Sequence, residues 1–469
     1  MIVNLITTVY NFLWGDLFTI PLPGGGSLGI SLLILLLIPT GIYFTIRTRF
    51  LPIRLFPDMI RALSEKKNEK SSLSSFQTLI VSTATRVGMG NLVGVVAAVS
   101  AGGAGAVFWM WVTAIIGSST AFIEATLAQL HKEEDPLYGG YRGGPAYYIT
   151  KGMGEKWRPM AVFFSIAIII ALGCIGNMVQ SNSISNAMHT AFGVPLVITG
   201  IVTAILAGAV FFGGVARLAS VTEKIVPFMA AIYIIGGSYV IACHAGELGN
   251  AFRLIFVAAF DPQAVMGGAL GLTVAKAMQF GVARGLFSNE AGMGSTPHAH
   301  AVAKVEHPAE QGLVAIFGVF ATLIVVTFTG IVILVTGVLD FQSTGIALTQ
   351  KAYDVGLGSF GVSFVAICLF FFAYSTIIGW YFFAEQNVRF LFSEKALLPY
   401  RVIVCAFIIV GATLKVDLVW ALADLFNGLM VIPNLIALIA LHKVVGNCLD
   451  DFEAKLAKYE KTQQNISHS

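Results

Sequence analysis

The sequence predicts an all-α polytopic membrane protein, and three observations support this fold class. Of the 469 residues, 57% are hydrophobic and only 11% are charged, whereas a soluble domain is about 25% charged. The mean hydropathy is +0.82. The apolar residues also form long runs rather than stripes of period 2 or 3.6, which is typical of segments that face lipid. A water-soluble core of this size could not bury so many apolar side chains.

Eleven stretches are long and apolar enough to be membrane spans, since a span needs about 20 residues. The predicted spans are 28–46, 76–100, 106–129, 159–190, 195–212, 220–243, 266–296, 309–337, 359–386, 397–414 and 417–441. Residues before the first span, including Tyr10 and Trp14, are predicted to form an amphipathic surface helix. Most Lys and Arg residues fall in the loops of one side, so the N-terminus is predicted outside and the C-terminal tail in the cytoplasm.

The charge and the cysteines exclude several classes of partner. The net charge is only +3, so no nucleic-acid partner is expected. The five cysteines form no C-x-x-C pair and have no nearby His at ligand spacing, which favours small core residues over disulfides or metal ligands. We therefore expect no prosthetic group, and the lipid bilayer is the first predicted partner.

The second span contains a sequence that is unfavourable in a continuous membrane helix. Gly88-Met89-Gly90-Asn91 follows Arg86 about a dozen residues into the span. Each interior glycine costs a helix roughly 1 kcal/mol, and unwound backbone at that depth is tolerated only beside a cavity. A half-helix N-terminus presents free N–H groups to an anion, and freed carbonyls can bind a cation. Glycines that only permit close helix packing are the alternative.

The seventh span is the second candidate for a broken helix. Counting the same dozen residues from its outer end places a break at Gln279-Phe280-Gly281. Two five-helix units that each open with a broken helix and enter from opposite faces would form an inverted repeat. The later Gly292-Met293-Gly294 repeats the triplet of the second span near the cytoplasmic end. Because its depth differs, the sequence favours a chance similarity.

Three motifs resemble those of the sodium:alanine symporter family. They are Gly102 to Gly117 (GGAGAVFWMWVTAIIG), Tyr141 to Ala146 (YRGGPA) and Phe287 to Ser295 (FSNEAGMGS). The resemblance covers about residues 40–440. It implies the leucine-transporter fold, which has ten core helices in two inverted five-helix repeats, here with one extra N-terminal helix. It also implies residence in the plasma (inner) membrane of a prokaryote.

The implied fold divides the chain into four parts. Residues 1–75 would hold the amphipathic segment, the extra span and a basic loop, and residues 76–243 the first five-helix repeat. Residues 244–441 would hold the second repeat with its preceding extracellular loop, and residues 442–469 the cytoplasmic tail.

The resemblance also implies a substrate site and a sodium site at the first break. The N–H groups of Met89 and Gly90, beside Gly88, would bind the substrate carboxylate, and Asn91 would contact the carboxylate or the ion. Sodium is the only metal expected, and its ligands would be the carbonyls of Ala84, Val87 and Phe372 and the hydroxyls of Ser375 and Thr376. The Ser-Thr pair could instead bond only to its own helix.

Further lining residues are predicted with structural alternatives. Asn177 and Gln180 of the fourth span, with Asn182, could face the substrate or form helix–helix hydrogen bonds. Gln279 is placed in the site by the predicted second break, and Phe280 and Trp380 could cap the pocket or only pack. A cation within the membrane should be paired, so Arg86 is predicted to form a structural ion pair or a gate. The candidate acids are Glu124, Glu290 and Asp424.

The sequence-based hypothesis is a sodium-coupled symporter that imports a small neutral amino acid, alanine or glycine, by alternating access. Proton coupling is an alternative, as is sodium symport of another small amino acid such as glutamine or serine. An enzyme is disfavoured because His298, His300 and His307 are predicted to lie in a cytoplasmic loop without an acid at ligand spacing. A channel is the remaining alternative, and saturable uptake would exclude it.

Overall fold

The structure is a computed structural model that describes residues 2–21, 27–64, 73–261, 273–340 and 345–467. Helices dominate these residues. In chain order the helices are α1 Ile2–Trp14, α2 Leu32–Arg47, α3 Leu51–Arg54, α4 Phe56–Ser64, α5 Ser75–Arg86, α6 Val93–Gly102, α7 Gly105–Leu130, α8 Pro145–Met153, α9 Arg158–Ile168, α10 Asn177–Phe192, α11 Leu196–Phe211, α12 Gly214–Cys243, α13 Leu248–Ala258, α14 Val274–Asn289, α15 Pro297–Val302, α16 Pro308–Val335, α17 Ile346–Leu357, α18 Phe360–Leu391, α19 Leu397–Gly411 and α20 Val416–Ser467. A π-helical segment, Ile169–Gly176, joins α9 to α10, and 3₁₀ turns lie at Met89–Asn91, Glu155–Trp157, Ala245–Glu247 and Glu394–Ala396.

Two small antiparallel hairpins are also present. One pairs β1 (Asp16–Pro21) with β2 (Ser27–Ser31), and the other pairs β3 (Glu133–Glu134) with β4 (Tyr141–Arg142). The first predicted span therefore begins as a strand, and its helix starts only at Leu32. Ser31 explains this start, because its side chain caps the helix by accepting the N–H of Ile34 at 3.3 Å.

A helix lies within every predicted span, although the first span begins in β2, residues 290–296 of the seventh span are not helical, and residues 266–272 lie outside the described residues. In the described part of the chain, six helices are long and apolar enough to cross a membrane, or seven if the bent pair α5 and α6 is one span. Helices α2 and α11 are apolar but shorter. The protein is thus a multi-pass helical membrane protein, whereas eleven crossings in a five-plus-five arrangement stay a prediction.

The core of the molecule is built around α18, which is buried along most of its length. It packs against α5, α10, α12 and α17. Helix α7 packs most extensively against α16 and α14. Helix α1 is only partly the surface helix expected from sequence, because Leu13 and Trp14 are buried against α20, where the Trp14 indole N–H donates to the Asp424 carbonyl at 3.1 Å. These contacts place α5, α10, α14 and α18 around one central region.

Candidate functional site

The second predicted span is broken where its glycines lie. Helix α5 ends at Arg86, a single 3₁₀ turn follows at Met89–Asn91, and α6 leaves at an angle of 56°. Gly88 explains why the break is possible beside α18, because a Cβ there would lie 2.1 Å from the Thr376 Oγ1. The first N–H groups of a helical turn have no acceptor within it, and Met89 and Gly90 open this turn. The predicted interruption of the helix is confirmed.

Four oxygen atoms converge between α5 and α18 next to this break. The Ser375 hydroxyl lies 3.0 Å from the Ala84 carbonyl and 2.9 Å from the Phe372 carbonyl. The Thr376 hydroxyl lies 3.2 Å and 2.9 Å from the same two carbonyls. All four residues are almost completely buried. These are four of the five predicted sodium ligands. Each hydroxyl therefore contacts another helix as well as its own, unlike a purely back-bonding pair.

Asn91 links the break to the chain on both sides. Its amide N–H donates to the Arg86 carbonyl at 2.5 Å, and its amide oxygen accepts the Ser288 hydroxyl at 2.6 Å. Ser288 lies near the end of α14, so Asn91 connects the first broken helix to the second. Sequence reasoning missed Ser288, because the two residues are far apart in the chain.

The second break lies at residues 290–296 rather than at the predicted 279–281. Helix α14 runs unbroken from Val274 to Asn289, and Glu290 then adopts a left-handed backbone with φ +57°. Gly292 and Gly294 follow with φ +90° and +77°, and α15 begins at Pro297. The placement at 279–281 was wrong, as was the interpretation of the second Gly-Met-Gly as chance. Both triplets lie at breaks.

Glu124 of α7 binds the backbone of the second break. One carboxylate oxygen accepts the Gly294 N–H at 2.9 Å and the Asn434 side-chain amide at 2.6 Å. The other accepts the Gly292 N–H at 3.1 Å. The free N–H groups of this break are thus already bound to an internal carboxylate. Of the two breaks, the first is the one whose opening N–H groups are candidates for an external anion.

Glu290 joins three elements around Trp380. One carboxylate oxygen accepts the Trp380 indole N–H at 2.7 Å, and the other accepts the Ser295 hydroxyl at 2.5 Å. The Thr85 hydroxyl of α5 lies 3.4 Å from that second oxygen. The Trp380 ring also meets Phe287 edge-on, with 5.4 Å between centroids. Trp380 therefore lies between the two breaks, and its predicted role as a cap of the pocket stays a prediction.

The expected ion pair of Arg86 is replaced by neutral hydrogen bonds. The guanidinium donates to the Ala315 carbonyl at 2.9 Å and to the Thr296 hydroxyl at 2.8 Å. In the described part of the chain, no carboxylate oxygen lies within 4 Å of this guanidinium, so the predicted direct pairing with Glu124 or Glu290 was wrong. The guanidinium lies against α16, not against the oxygen cluster at α18.

Helix α10 supplies buried polar groups near the first break. The two polar side-chain atoms of Gln180 and the Asn177 amide oxygen are buried, and none of the three has a hydrogen-bond partner among the described residues. The Asn177 amide N–H donates to the Gly173 carbonyl of its own helix at 3.1 Å. Ser183 reaches the break directly, 2.8 Å from the Met89 sulfur. Asn182 instead donates to the Gly411 and Leu414 carbonyls, which is the helix–helix alternative.

Two predicted residues have other partners in the structure. The Gln279 amide donates to the Trp14 carbonyl at 2.6 Å, and Phe280 packs in an apolar cluster with Val95 and Met110. A Cβ at Gly281 would lie 2.6 Å from the Ala106 carbonyl, so this glycine permits close packing of α14 on α7. The prediction that the histidines lie in a cytoplasmic loop was wrong for His298 and His300, because both are fully buried within α15.

Ion pairs flank the central region on two sides. Arg284 and Asp424 form a bidentate pair with both distances at 2.7 Å, beside Trp420. On the other side, Arg389 at the end of α18 binds Asp135 of the loop between α7 and α8. Two neighbouring residues, Tyr138 and Tyr381, both donate to Glu385. We call the second group, with Arg401, the basic-face network.

A multi-pass fold with two broken helices around a buried cluster of neutral oxygens defines a membrane transporter. The model of the sodium:alanine symporter family matches residues 25–466. The chain belongs to this family.

Relatives agree along nearly the whole chain. The probable sodium/glutamine symporter GlnT of Bacillus subtilis is 44% identical over 90% of this chain and 88% of its own length. The sodium/alanine symporter AgcS of Methanococcus maripaludis is 40% identical over 94% and 95%, respectively. Among solved structures, a manganese transporter of Eremococcus coleocola covers 78% of each chain with a TM-score of 0.54 at 12% identity, which indicates a shared fold.

Proposed function

We propose that this protein is a sodium-coupled symporter that imports a small neutral amino acid, alanine or glycine, by alternating access. The observation that carries the proposal is the convergence of the Ala84 and Phe372 carbonyls with the Ser375 and Thr376 hydroxyls. A dehydrated sodium ion needs several oxygen ligands to replace its water shell. These neutral oxygens supply them without a carboxylate that would also titrate, and the Val87 carbonyl at the break would complete the set.

The substrate would bind beside the ion at the first break. The N–H groups of Met89 and Gly90 favour its carboxylate, because a helix N-terminus carries partial positive charge. The unpartnered oxygens of Gln180 and Asn177 would accept from its ammonium group. An unpaired buried polar group costs about 1–3 kcal/mol, so the substrate would remove a penalty that the empty site carries. Trp380 would close the pocket from α18.

Alternating access would follow from breaking one flanking ion pair at a time. The bidentate Arg284–Asp424 pair would close the extracellular side, where α1 packs on Asp424. The basic-face network would close the cytoplasmic side. The two breaks, joined by Asn91 and Ser288, would be the hinges of two inverted repeats, residues 76–243 and 244–441. Sodium between α5 and α18 would bias this equilibrium and couple the two ligands.

A proteoliposome experiment tests the proposal. Purified protein is reconstituted, and uptake of labelled alanine is followed with inward sodium at one clamped pH, with potassium in its place at the same pH, and, in a separate arm, with an inward proton gradient without sodium. We expect saturable accumulation with sodium only, and competition by unlabelled glycine. Equal accumulation from a proton gradient alone would contradict sodium coupling. Strong competition by glutamine, the substrate in the name of the GlnT relative, would replace alanine or glycine as the proposed substrate but leave the proposed class, a sodium-coupled symporter, unchanged.

A further inference from the structure

A cavity of about 360 Å³ lies between the end of α2 and the middle of α20, away from the two breaks. Its floor is apolar and consists of Phe44, Ile123, Val445 and Leu449. Ligand cavities in proteins range from roughly 300 to 1,000 Å³, so this one is large enough for a molecular headgroup. The transport mechanism proposed above uses none of these residues.

The mouth of the cavity is polar and carries an uncompensated positive charge. Arg49 pairs with Asp450 and Arg54 pairs with Glu453, both at 2.6 Å, so these four charges offset each other. Arg47 is exposed in the last turn of α2, and in the described part of the chain it has no hydrogen bond or ion pair. An anion at the mouth would find this guanidinium free, with the side chains of His442 and Asn447 lining the same opening.

The position of the cavity relates it to the lipid surface. Helix α2 ends at Arg47 after an apolar run, and the apolar part of α20 ends at His442. The side chains that flank the cavity are exposed and apolar, with Tyr43 42%, Ile46 61% and Val444 42% exposed. Such a surface suits acyl chains. The site therefore lies where a membrane's hydrocarbon meets its headgroups, on the basic face that we propose to be cytoplasmic.

We propose that this cavity binds an anionic phospholipid of the surrounding leaflet. Its phosphate would lie on Arg47 at the mouth, its glycerol region inside the cavity, and its acyl chains along Tyr43, Ile46 and Val444. Basic pockets between membrane helices on the cytoplasmic side bind anionic lipid headgroups for this reason. Since α2 is the helix outside the ten proposed core helices, the lipid would fasten this extra helix to the part of α20 that follows the second repeat.

Two substitutions test the site in different ways. Arg47→Gln removes the free charge. Gly446→Leu fills the cavity from its wall, and a Cβ at Gly446 meets no atom within 4 Å, so the change adds bulk without a collision. Arg217→Gln is the charge control, because Arg217 is also exposed on the basic face. Gly249→Leu is the size control, because a Cβ there also meets no atom within 4 Å.

The experiment titrates the delipidated full-length protein with phosphatidylglycerol and counts bound lipids by native mass spectrometry. We expect Arg47→Gln to bind one lipid about fivefold more weakly, the value of one cation near an anionic surface. Gly446→Leu should bind that lipid more weakly because its side chain occupies the cavity, while both controls match the wild type. Phosphatidylcholine should bind more weakly to the wild type. If one variant does not fold, the other decides. Unchanged binding in a folded site variant, equal binding of phosphatidylcholine, or displacement of the lipid by inorganic phosphate would overturn the proposal.

Discussion

At the scale of single residues, the first break depends both on the missing side chain of Gly88 and on the polar groups that its neighbours provide. Gly88 has no Cβ and so lets the Thr376 hydroxyl approach the unwound turn. The sequence predicted Gly88, because glycine within a span has a physical cost, whereas Thr376 was implied by the family resemblance. It could not predict the bond between Asn91 and Ser288, since side-chain direction across helices is not encoded in local spacing.

Asn91→Ala should remove most of the uptake while the protein stays folded. The change deletes two buried hydrogen bonds, to the Arg86 carbonyl and the Ser288 hydroxyl. At about 1 kcal/mol each, this predicts a roughly 10- to 30-fold loss of uptake at low substrate concentration. Initial rates in proteoliposomes measure it. Asn250→Ala, at an exposed asparagine, is the control, and wild-type rates in folded Asn91→Ala would contradict the assignment.

At the scale of secondary-structure elements, the two broken helices differ in how they use their free backbone. The second break is bound internally by Glu124, so only the first is available for an external carboxylate. The sequence-based prediction misplaced the second break, because it located the break by counting residues from the assumed outer end of the seventh span. The repeated Gly-Met-Gly triplet was the better signal. Gly281, the glycine chosen instead, serves close packing against α7.

Gly294→Ala should destabilise the protein, whereas Gly94→Ala should not. Gly294 has φ +77°, which costs a residue with a side chain roughly 1–2 kcal/mol, and its Cβ would lie 2.8 Å from a Pro145 carbon and 2.9 Å from an Asn434 carbon. A Cβ at Gly94 meets atoms only at 3.9 Å. Thermal unfolding of the purified variants measures the difference. Equal unfolding temperatures would show that the second break is not a fixed turn.

At the scale of the whole molecule, α20 continues to Ser467, far beyond the predicted end of its span at residue 441, but hydropathy and charge content were sufficient to predict a multi-pass helical protein. They could not predict the basic-face network, because its members come from three separated parts of the chain. Burial raises the pKa of the Asp135 carboxyl. Arg389 outweighs this effect through its hydrogen bonds and its positive charge, so the pKa lies below its ordinary value. The pair therefore stabilises this arrangement of the network at neutral pH. This contribution is lost as the pH falls through the lowered pKa.

Arg389→Gln should open the cytoplasmic side at neutral pH. The reporter is Ser165→Cys in a protein whose native cysteines are replaced by alanine. Ser165 is buried in α9, seven residues and about 10 Å from the start of this helix at Arg158. Labelling of the new cysteine therefore measures how easily a reagent enters from the cytoplasmic side. We expect a membrane-impermeant thiol reagent to label it several-fold faster in Arg389→Gln. Arg158→Gln, which breaks an exposed pair with Glu155 at 3.6 Å, should leave labelling unchanged. Equal rates in both would exclude a closing role for the Asp135–Arg389 pair.

The sodium dependence of amino-acid uptake by Thr376→Val tests the central claim most directly. The substitution keeps the shape of the side chain and removes one of the converging oxygens. Thr203→Val is the matched control, because Thr203 is equally buried and, among the described residues, its hydroxyl bonds only to the Thr199 carbonyl of its own helix. We predict that the half-saturating sodium concentration rises roughly tenfold or more in Thr376→Val and stays at the wild-type value in Thr203→Val. An unchanged sodium dependence in folded Thr376→Val would contradict a sodium site between α5 and α18.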